Sequence, residues 1–271
     1  MAAIARALAG ATNALLAPFD WIPRPWDLVL VSVATGALIL WILKWTTRPA
    51  WIARARDQMA AAIYEIRLFL DSPRRVFASQ GRFLMWSGAY IGALLPGLLV
   101  ASAPLGLLYV QLDRRHGAGP VEVGKPVVVR VDLADGVDGA DVSVAPAAGV
   151  RATAPPLYDA DEGRVYLRVE VAEPGTHELS IAAGGDRITK RIVADPRARA
   201  VDPVRARGLA ALWSPGSEPP LADDGPVVRV QVAHPPRPDP WLGVAMPWWL
   251  YWLVIATIAA LALRKPFGVE I

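Results

Sequence analysis

Three long apolar runs without any charged side chain dominate the pattern of hydrophobic and polar positions. They extend from Leu28 to Leu43, from Phe83 to Val110 and from Val244 to Leu263. A helix needs roughly 20 apolar residues to cross the hydrocarbon of a bilayer, and each run reaches this length with its flanks. The middle run is longer, at 28 residues, and predicts either a tilted span or a helix that bends at Pro96 and Pro104. The pattern predicts three transmembrane helices, over residues 26–45, 83–110 and 241–264.

Between the second and third runs the apolar period changes to two, which is typical of β-strands. The clearest pair of alternating segments lies on either side of Gly184 and Gly185 and predicts a hairpin. Segments of this kind occur at 126–133, 140–146, 163–172, 177–183, 187–194 and 226–233. About six or seven short strands predict a small immunoglobulin-like β-sandwich, although the Cys…Trp…Cys signature is missing. The predicted fold class is therefore a membrane protein of α plus β type, with this sandwich inserted between spans 2 and 3.

The segment between the first two spans, residues 46–82, predicts a helical hairpin. Pro49 suits a first helical turn, and the residues from Ala50 to Leu70 are rich in helix formers. Asp71, Ser72 and Pro73 end this helix, and Ser72 with Pro73 favours the start of a second. The second helix is expected to run through the residues from Arg74 to Gln80 into the next span. The apolar positions of the first helix fall at near-heptad spacing at Ile52, Met59, Ile63 and Leu70, with Ile66 beside them.

Charge predicts the orientation of the spans. The stretch from Lys44 to Arg82 contains eight Lys or Arg against three acidic residues, a net charge of +5. The segment from Gln111 to Leu242 has 16 basic and 19 acidic residues. Basic loops stay on the cytoplasmic side. We therefore expect a bacterial inner-membrane protein with its N-terminus and β-sandwich outside, and its hairpin and the tail 265–271 inside.

Composition supports the membrane assignment. Apolar residues make up 54% of the 271 residues, and the mean hydropathy is +0.33. Eleven tryptophans are present, and most lie in or near the ends of the three runs, where an indole sits well at headgroup level. The predicted interface anchors are Trp26, Trp45, Trp86, Trp241, Trp248 and Trp249.

Two polar regions leave alternatives open. The N-terminal segment, residues 1–25, has the features either of a poor signal peptide or of a short interfacial helix with Ile4, Leu8, Leu15 and Leu16 facing lipid; the interfacial helix is preferred. The stretch from Asp195 to Gly225 lacks a steady period and predicts a long loop, a short helix around 204–213, or a flap. Within it, Trp213 is either a plug in the sandwich or a membrane anchor. The proline-rich residues 234–241 predict a stiff connector.

Nothing in the residue pattern indicates an enzyme. The absence of cysteine excludes thiol catalysis, disulfides and zinc-thiolate sites. His116, His177 and His234 are scattered without metal-ligand spacing, and no phosphate loop, nucleophile elbow or dinucleotide fingerprint is present. An acidic turn at residues 159–163 is a much better interpretation than a calcium loop. We expect no catalytic residue, no cofactor, no metal and no nucleic-acid partner.

The basic hairpin is the remaining candidate for a functional surface. Its arginines stand off the apolar line and predict either contact with anionic headgroups or docking of a cytoplasmic partner, with neither favoured. The candidate residues are Arg54, Arg56, Arg67, Arg74 and Arg75. The lipid bilayer and protein partners in a membrane complex are the expected partners.

The arrangement of the first half of the chain also has a counterpart in a known family. A first span leads into the hairpin through WDLVLVSVATGALILWILKWTTRPAWIARARDQM, and YEIRLFLDSPRRVFASQGRF leads into the second span. This layout resembles the YidC-type membrane-insertase superfamily, over roughly residues 19–110 and the third span, although bacterial members have their β-domain between the first two spans. The ending LRKPFGVEI resembles a group of uncharacterised bacterial membrane proteins with the same plan. The resemblance implies an insertase-like or chaperone role.

Three functions therefore remain. The first is a non-catalytic membrane scaffold or subunit of a membrane complex that binds partners through the sandwich and the hairpin. The second is the insertase-like or chaperone role in membrane-protein biogenesis. The third is a small-molecule sensor or transporter component. The scaffold is the preferred hypothesis, because both soluble segments lack any recognisable site chemistry.

Overall fold

The chain contains both helices and antiparallel sheets, as a computed structural model shows. The structure describes residues 7, 10, 11, 14, 16–19, 21–145, 148–214, 216–237 and 246–269. The chain divides into two compact units. We call residues 24–106 with 250–271 the helical unit, and residues 1–23 with 107–249 the β-unit.

The helical unit is built from four helices. They are α1 (Trp26–Thr46), α2 (Pro49–Leu68), most of α3 (Pro73–Leu112) and α5 (Trp248–Phe267). A π-helical turn, Asp113–Gly117, continues α3. By length and composition, α1, the helix Pro73–Gly117 and α5 are long and apolar enough to cross a membrane, which agrees with the three predicted spans.

Both hairpin helices begin at a proline, and α2 ends close to the predicted stop. Pro49 lies in the first turn of α2, where its missing N–H costs nothing. The N–H groups of Arg75 and Val76 donate to the carbonyl of Ser72, which starts α3. The hairpin therefore has the predicted helix, stop and helix, and its second helix continues without a break into the long apolar run, also as predicted.

Within the helical unit, α1 packs closely against α5. A Cβ atom built on Gly36 would lie 2.6 Å from the carbonyl oxygen of Ala256, so glycine is needed for this approach. One helical turn before Ala256 on α5, the indole Nε1 of Trp252 donates to the hydroxyl of Thr35 at 3.1 Å. Small residues and one hydrogen bond thus hold the two helices together.

The β-unit contains two antiparallel sheets. The larger has the order β3 (Val150–Ala152), β5 (Arg164–Val171), β1 (Pro126–Leu133), β9 (Val227–Val232) and β8 (Val204–Ala206), with β4 (Leu157–Asp159) also paired to β5. The smaller has the order β2 (Ser143–Ala145), β6 (Thr176–Ala183) and β7 (Asp186–Val193). Gly184 and Gly185 connect β6 to β7 with φ of 55° and 87°, which is the backbone of a type I′ hairpin turn.

One hydrophobic core lies between these sheets. Val129 and Val131 of β1 and Val165 of β5 are completely buried, and so are Leu179 and Ile181 of β6. These residues recur with the period of two that exposes alternate side chains of a strand to opposite faces. The alternating pattern of the sequence therefore identified the faces of the two sheets that meet.

The strand prediction was incomplete in one respect. Six of the observed strands lie within or close to the predicted segments, but β3, β4 and β8 were missed. Each has only three residues, which is too short to show a period. In the stretch predicted as a loop, flap or helix around 204–213, the structure has both β8 and a short helix α4 (Gly208–Leu212).

The N-terminal segment is only partly described. Residues 7, 10, 11, 14 and 16 are helical, whereas Ile4, Leu8 and Leu15 lie outside the described residues. Leu16 was predicted to face lipid, but it is 2% exposed and therefore packs inside the protein. The preferred interfacial helix stays a prediction.

Candidate functional site

The two helices of the hairpin are joined by a polar contact. Glu65 on α2 accepts a hydrogen bond from the Ser79 hydroxyl of α3 at 2.7 Å and forms a two-pronged ion pair with Arg82. The hydrogen bond from Ser79, with the charge of Arg82, holds the pKa of Glu65 below its usual value. Farther along, the Ser87 hydroxyl lies 3.3 Å from the sulfur of Met59. Side-chain contacts at these two levels therefore join α2 to α3.

The packed face of α2 differs from the predicted apolar line. Ile52 and Met59 face inward, but Ile63 is 41% exposed and Leu70 is 72% exposed. Their places are taken by Ala55 and Ala62, which are buried. The buried face of α2 therefore includes small residues, whereas Ile63 and Leu70 are exposed.

All five candidate arginines are exposed, but they form two groups. Arg54 and Arg56 lie near the start of α2, and Arg67 lies about 16 Å farther along the helix axis, at 1.5 Å per residue. Arg74 and Arg75 begin α3, just across the turn from Arg67. We call Arg67, Arg74 and Arg75 the tip arginines.

Large apolar side chains surround the tip arginines. Leu68 is 74% exposed, and Leu70 and Phe77 are each 72% exposed. The guanidinium of Arg75 lies 4.6 Å from the centre of the Phe69 ring, in a cation–π contact. Exposed apolar residues of this size, interleaved with cations, are typical of a binding surface rather than of a surface that only faces water.

The close approach of α1 to α3 shows how far the hairpin extends. A Cβ atom on Gly97 of α3 would lie 2.7 Å from the hydroxyl of Thr46, the last residue of α1. The 24 residues of α3 before Gly97 therefore run on past this point, over about 36 Å of helix. Apolar residues in this part remain exposed, among them Leu84 (69%), Met85 (60%) and Ile91 (59%).

The predicted interface tryptophans have different surroundings. Trp45 is 75% exposed and Trp26 is 61% exposed. Trp249 is 42% exposed and Trp86 is half-buried, and Trp241 lies outside the described residues. A headgroup-level position for the exposed ones stays a prediction.

Trp248 is placed differently from the others. It is only 9% exposed, its ring centre lies 5.0 Å from that of Tyr109, and its indole Nε1 donates to Asp113 Oδ1 at 3.2 Å. Trp248 is therefore buried and donates to the Asp113 carboxylate instead of presenting its ring outward.

The β-unit contains a buried charge network that the sequence analysis missed. Arg114 forms a buried ion pair with Asp202 and donates to Gln111 at 2.7 Å. The other oxygen of Asp202 accepts hydrogen bonds from the backbone N–H and the hydroxyl of Ser217, at 2.7 and 2.6 Å. The network connects the end of α3 with the irregular stretch after β7.

Lys190 is the second buried charge of this network. Its side chain is 0% exposed, forms an ion pair with Glu218, and donates to the backbone carbonyl of Asp202 at 2.7 Å. The sequence contains one signal for it. Lys190 occupies the inward position of β7 between Ile188 and Ile192, where an alternating strand normally has an apolar residue.

Burial and pairing act in opposite directions on these groups. Burial alone would raise the pKa of Asp202, but the charge of Arg114 and the hydrogen bonds from Ser217 outweigh it and hold that pKa below its usual value. For Lys190, burial lowers the pKa despite the opposing effect of Glu218. Both groups are paired inside the protein, so they stabilise one arrangement of the chain rather than act on a ligand.

A cavity of about 410 Å³ lies beside this network, entirely within the β-unit. Tyr109, Val110, Asp113 and Arg114 contribute the wall from the end of α3, and Arg229 contributes from β9. The remaining lining residues come from the stretch around β8 and α4: Asp202, Pro203, Val204, Ala206, Ala210, Trp213, Ser214 and Gly216. Trp213 is 56% exposed at this cavity, so it is not a plug in the core of the sandwich.

Among the described residues, no group of three or more His, Cys, Asp or Glu side chains is placed to hold a metal ion. The acidic turn at 159–163 connects β4 to β5, and Asp159 accepts a hydrogen bond there from the N–H of Glu162 at 3.3 Å. This observation confirms the hairpin-turn interpretation.

No protein-family model, no curated protein and no solved structure matches this chain. The resemblance to YidC-type insertases therefore stays a prediction from the residues quoted above.

Proposed function

We propose that this protein is a non-catalytic scaffold or subunit of a membrane complex, and that the hairpin docks an acidic segment of a partner protein. The single observation that carries this proposal is the extension of the hairpin beyond the last residue of α1. The 21 residues of α1 are about as long as the hydrocarbon core is thick. α3 has 40 residues, about 60 Å of helix, which is roughly twice what one bilayer crossing needs. In this proposal its charged first turns, residues 73–82, therefore extend beyond the bilayer.

The side chains of the hairpin indicate the chemistry of the partner. Leu68, Leu70 and Phe77 offer an apolar contact at the tip, and Arg67, Arg74 and Arg75 stand around them. A partner segment with an apolar face and acidic residues beside it would satisfy both features. Basic loops remain in the cytoplasm, so the proposed location is the cytoplasmic face of a bacterial inner membrane.

The β-unit is the second binding module in this proposal. Its two antiparallel sheets share one core and are compatible with an immunoglobulin-like sandwich, a fold that commonly serves in recognition. Placed outside the membrane by the alternation of the three spans, the β-unit would be available to extracytoplasmic partners.

A cross-linking experiment tests the docking surface. A photoreactive amino acid replaces Phe77 in the full-length chain in cells, and the adduct is identified by mass spectrometry. We expect an adduct with an Asp- or Glu-bearing segment of one membrane-complex subunit that also co-purifies with the chain. Replacing the three tip arginines by Gln should lower the yield roughly tenfold, because each exposed charge contributes modestly.

The matched control replaces three exposed arginines of the β-unit, Arg151, Arg168 and Arg187, by Gln and should leave the yield unchanged. Reversing the tip charges to Glu and the partner's acidic residues to Lys should restore the adduct. Adducts with lipid alone, or a yield that does not respond to the tip substitutions, would overturn the proposal.

One observation favours the insertase-like role as a second candidate. A recess of about 370 Å³ in the helical unit is lined by Arg48, Thr46 and Trp51 together with small residues of α3. Polar groups beside small residues near a span end are what a polar groove for an entering segment requires. Depletion of the protein should then slow insertion of short-tailed membrane proteins, and unchanged insertion would exclude this role.

A further inference from the structure

The cavity of the β-unit has one cationic and one anionic group that no described residue neutralises with an opposite charge. Of the four charged residues in its wall, Arg114 and Asp202 neutralise each other in the buried ion pair. Arg229 and Asp113 are left. Their surroundings indicate what the cavity binds.

Arg229 has no protein partner within the part of the chain that the structure describes. Its Nε atom is buried without a hydrogen-bond partner, although buried polar atoms are nearly always paired. Arg229 lies next to Ala206 in the pairing of β8 with β9, and an alanine there leaves the space in front of the guanidinium open. The position suits an anionic oxygen of a ligand.

Asp113 provides the opposite charge in the same wall. Its Oδ1 is held by the indole of Trp248, and no basic side chain pairs with it among the described residues. Trp248 fixes the direction of the carboxylate, because its ring is itself packed against Tyr109. A carboxylate held in this way suits an ammonium group.

The apolar walls and the position of the cavity indicate that the ligand also has a hydrocarbon part. Val110 is the last residue of the apolar run of α3, so the cavity lies where the apolar stretch of this helix ends. Tyr109 and Trp213 are exposed beside it, and Leu209 of α4 is 66% exposed. A volume of about 410 Å³ falls within the range that holds small ligands.

We propose that this cavity binds the head group of a zwitterionic phospholipid that bears a primary ammonium, with the phosphate on Arg229 and the ammonium on Asp113. The acyl chains leave past Tyr109 and Trp213 into the bilayer. This proposal rests on the assignment of α3 as a membrane span and is independent of partner docking at the hairpin.

Native mass spectrometry tests the proposal by measuring how much added lipid the full chain retains after it is released from detergent. The probes are phosphatidylethanolamine, phosphatidylcholine, phosphatidylglycerol and inorganic phosphate. We expect one phosphatidylethanolamine to be retained per chain, at least tenfold more tightly than phosphatidylcholine. The primary ammonium donates hydrogen bonds to a carboxylate, whereas the trimethylated one does not. Phosphate alone should not compete at similar concentrations.

Variants separate the two charges. Arg229→Gln should weaken retention of phosphatidylethanolamine roughly tenfold or more, because a charge-assisted hydrogen bond is lost. Asp113→Asn should abolish the preference for phosphatidylethanolamine over phosphatidylcholine. Arg168→Gln, the same substitution as at Arg229 but on the exposed face of β5, is the control and should bind as the parent chain does.

A third variant keeps the test decisive if Arg229→Gln does not fold. Ala210 is exposed in the cavity wall, so Ala210→Trp fills the cavity without disturbing the core and should prevent retention. Equal retention of all three lipids, or retention that survives both Arg229→Gln and Ala210→Trp, would show annular lipid only and would overturn the proposal.

Discussion

In the hairpin, Arg67, Arg74 and Arg75 are exposed, whereas in the β-unit Arg114 and Lys190 are buried. The hairpin leaves these charges available for partners. The β-unit places Arg114 opposite Asp202 and Lys190 opposite Glu218, and so uses them to fix its own irregular stretch. Residues of the same chemical type are therefore available for binding in one region and structural in the other, and burial distinguishes them.

The largest expected effect concerns orientation. Neutralising Arg54, Arg56, Arg67, Arg74 and Arg75 together should give a mixed population of topologies, because the Lys and Arg bias of short loops sets the direction of spans. Reporter fusions after residues 82 and 242 measure this. If both reporters stay on the same side of the membrane in the variant as in the parent chain, the hairpin charges do not set the topology.

The buried network should respond strongly to the loss of one partner. Asp202→Ala removes the carboxylate opposite buried Arg114, and we expect a loss of about 3–5 kcal/mol in the free energy of unfolding. Chemical denaturation of the full chain in detergent measures it. Asp161→Ala, at an exposed turn, is the control and should change stability by no more than about 0.5 kcal/mol. Similar losses in both variants would contradict the structural role of the network.

The stability of the β-unit should also fall in mild acid because of His234. Burial lowers the pKa of His234 from 6.5 to about 4, while its Nδ1 contacts the carbonyl of Gly119 at 3.0 Å. The unfolded chain therefore binds a proton between these pH values that the folded chain does not. The stabilisation is complete above pH 6.5 and is lost as the pH falls toward 4.

The size of this loss follows from the shift in pKa. A difference of about 2.5 units corresponds to about 3 kcal/mol. Denaturation at pH 7 and at pH 4 measures it, and His234→Gln should remove this part of the difference. If the parent chain and His234→Gln lose equal stability on acidification, the histidine is not responsible.

A smaller effect is expected where the helices of the helical unit pack. Gly36→Ala places a Cβ atom 2.6 Å from the backbone of Ala256, so α1 and α5 must move apart at a cost of about 1–3 kcal/mol. Gly88→Ala on α3 meets nothing within 4 Å and is the matched control. Thermal unfolding in detergent compares the two, and equal midpoints would mean that α1 and α5 are not closely packed.

The sequence predicted those parts of the fold that repeat a pattern. Three helices long and apolar enough to cross a membrane, the hairpin stop at Asp71–Pro73 and the turn at Gly184–Gly185 each follow from local residue types. The six longer alternating segments predicted strands for the same reason. These features depend on neighbours a few residues apart, which a single sequence displays.

The candidate sites were less predictable because they depend on distant residues. Arg114 and Asp202 are 88 positions apart, and the strands that bring Arg229 beside Ala206 include one of only three residues. The contact between Gly97 of α3 and Thr46, the last residue of α1, could not be predicted either. Nothing in the apolar run that contains Gly97 indicates which of its residues lies beside the end of α1. Lys190 is the exception, because the sequence shows it as a charged residue at a position of β7 where the alternating pattern requires an apolar one.

Accessibility measured with introduced cysteines tests the central claim most directly, namely that the hairpin and the β-unit face opposite sides of the membrane. The chain has no cysteine, so Phe77→Cys and Asp161→Cys report without background. Both side chains are exposed. In intact spheroplasts, a membrane-impermeant thiol reagent should label Asp161→Cys at once and Phe77→Cys only after permeabilisation. Labelling of both positions before permeabilisation, or of neither, would contradict the account.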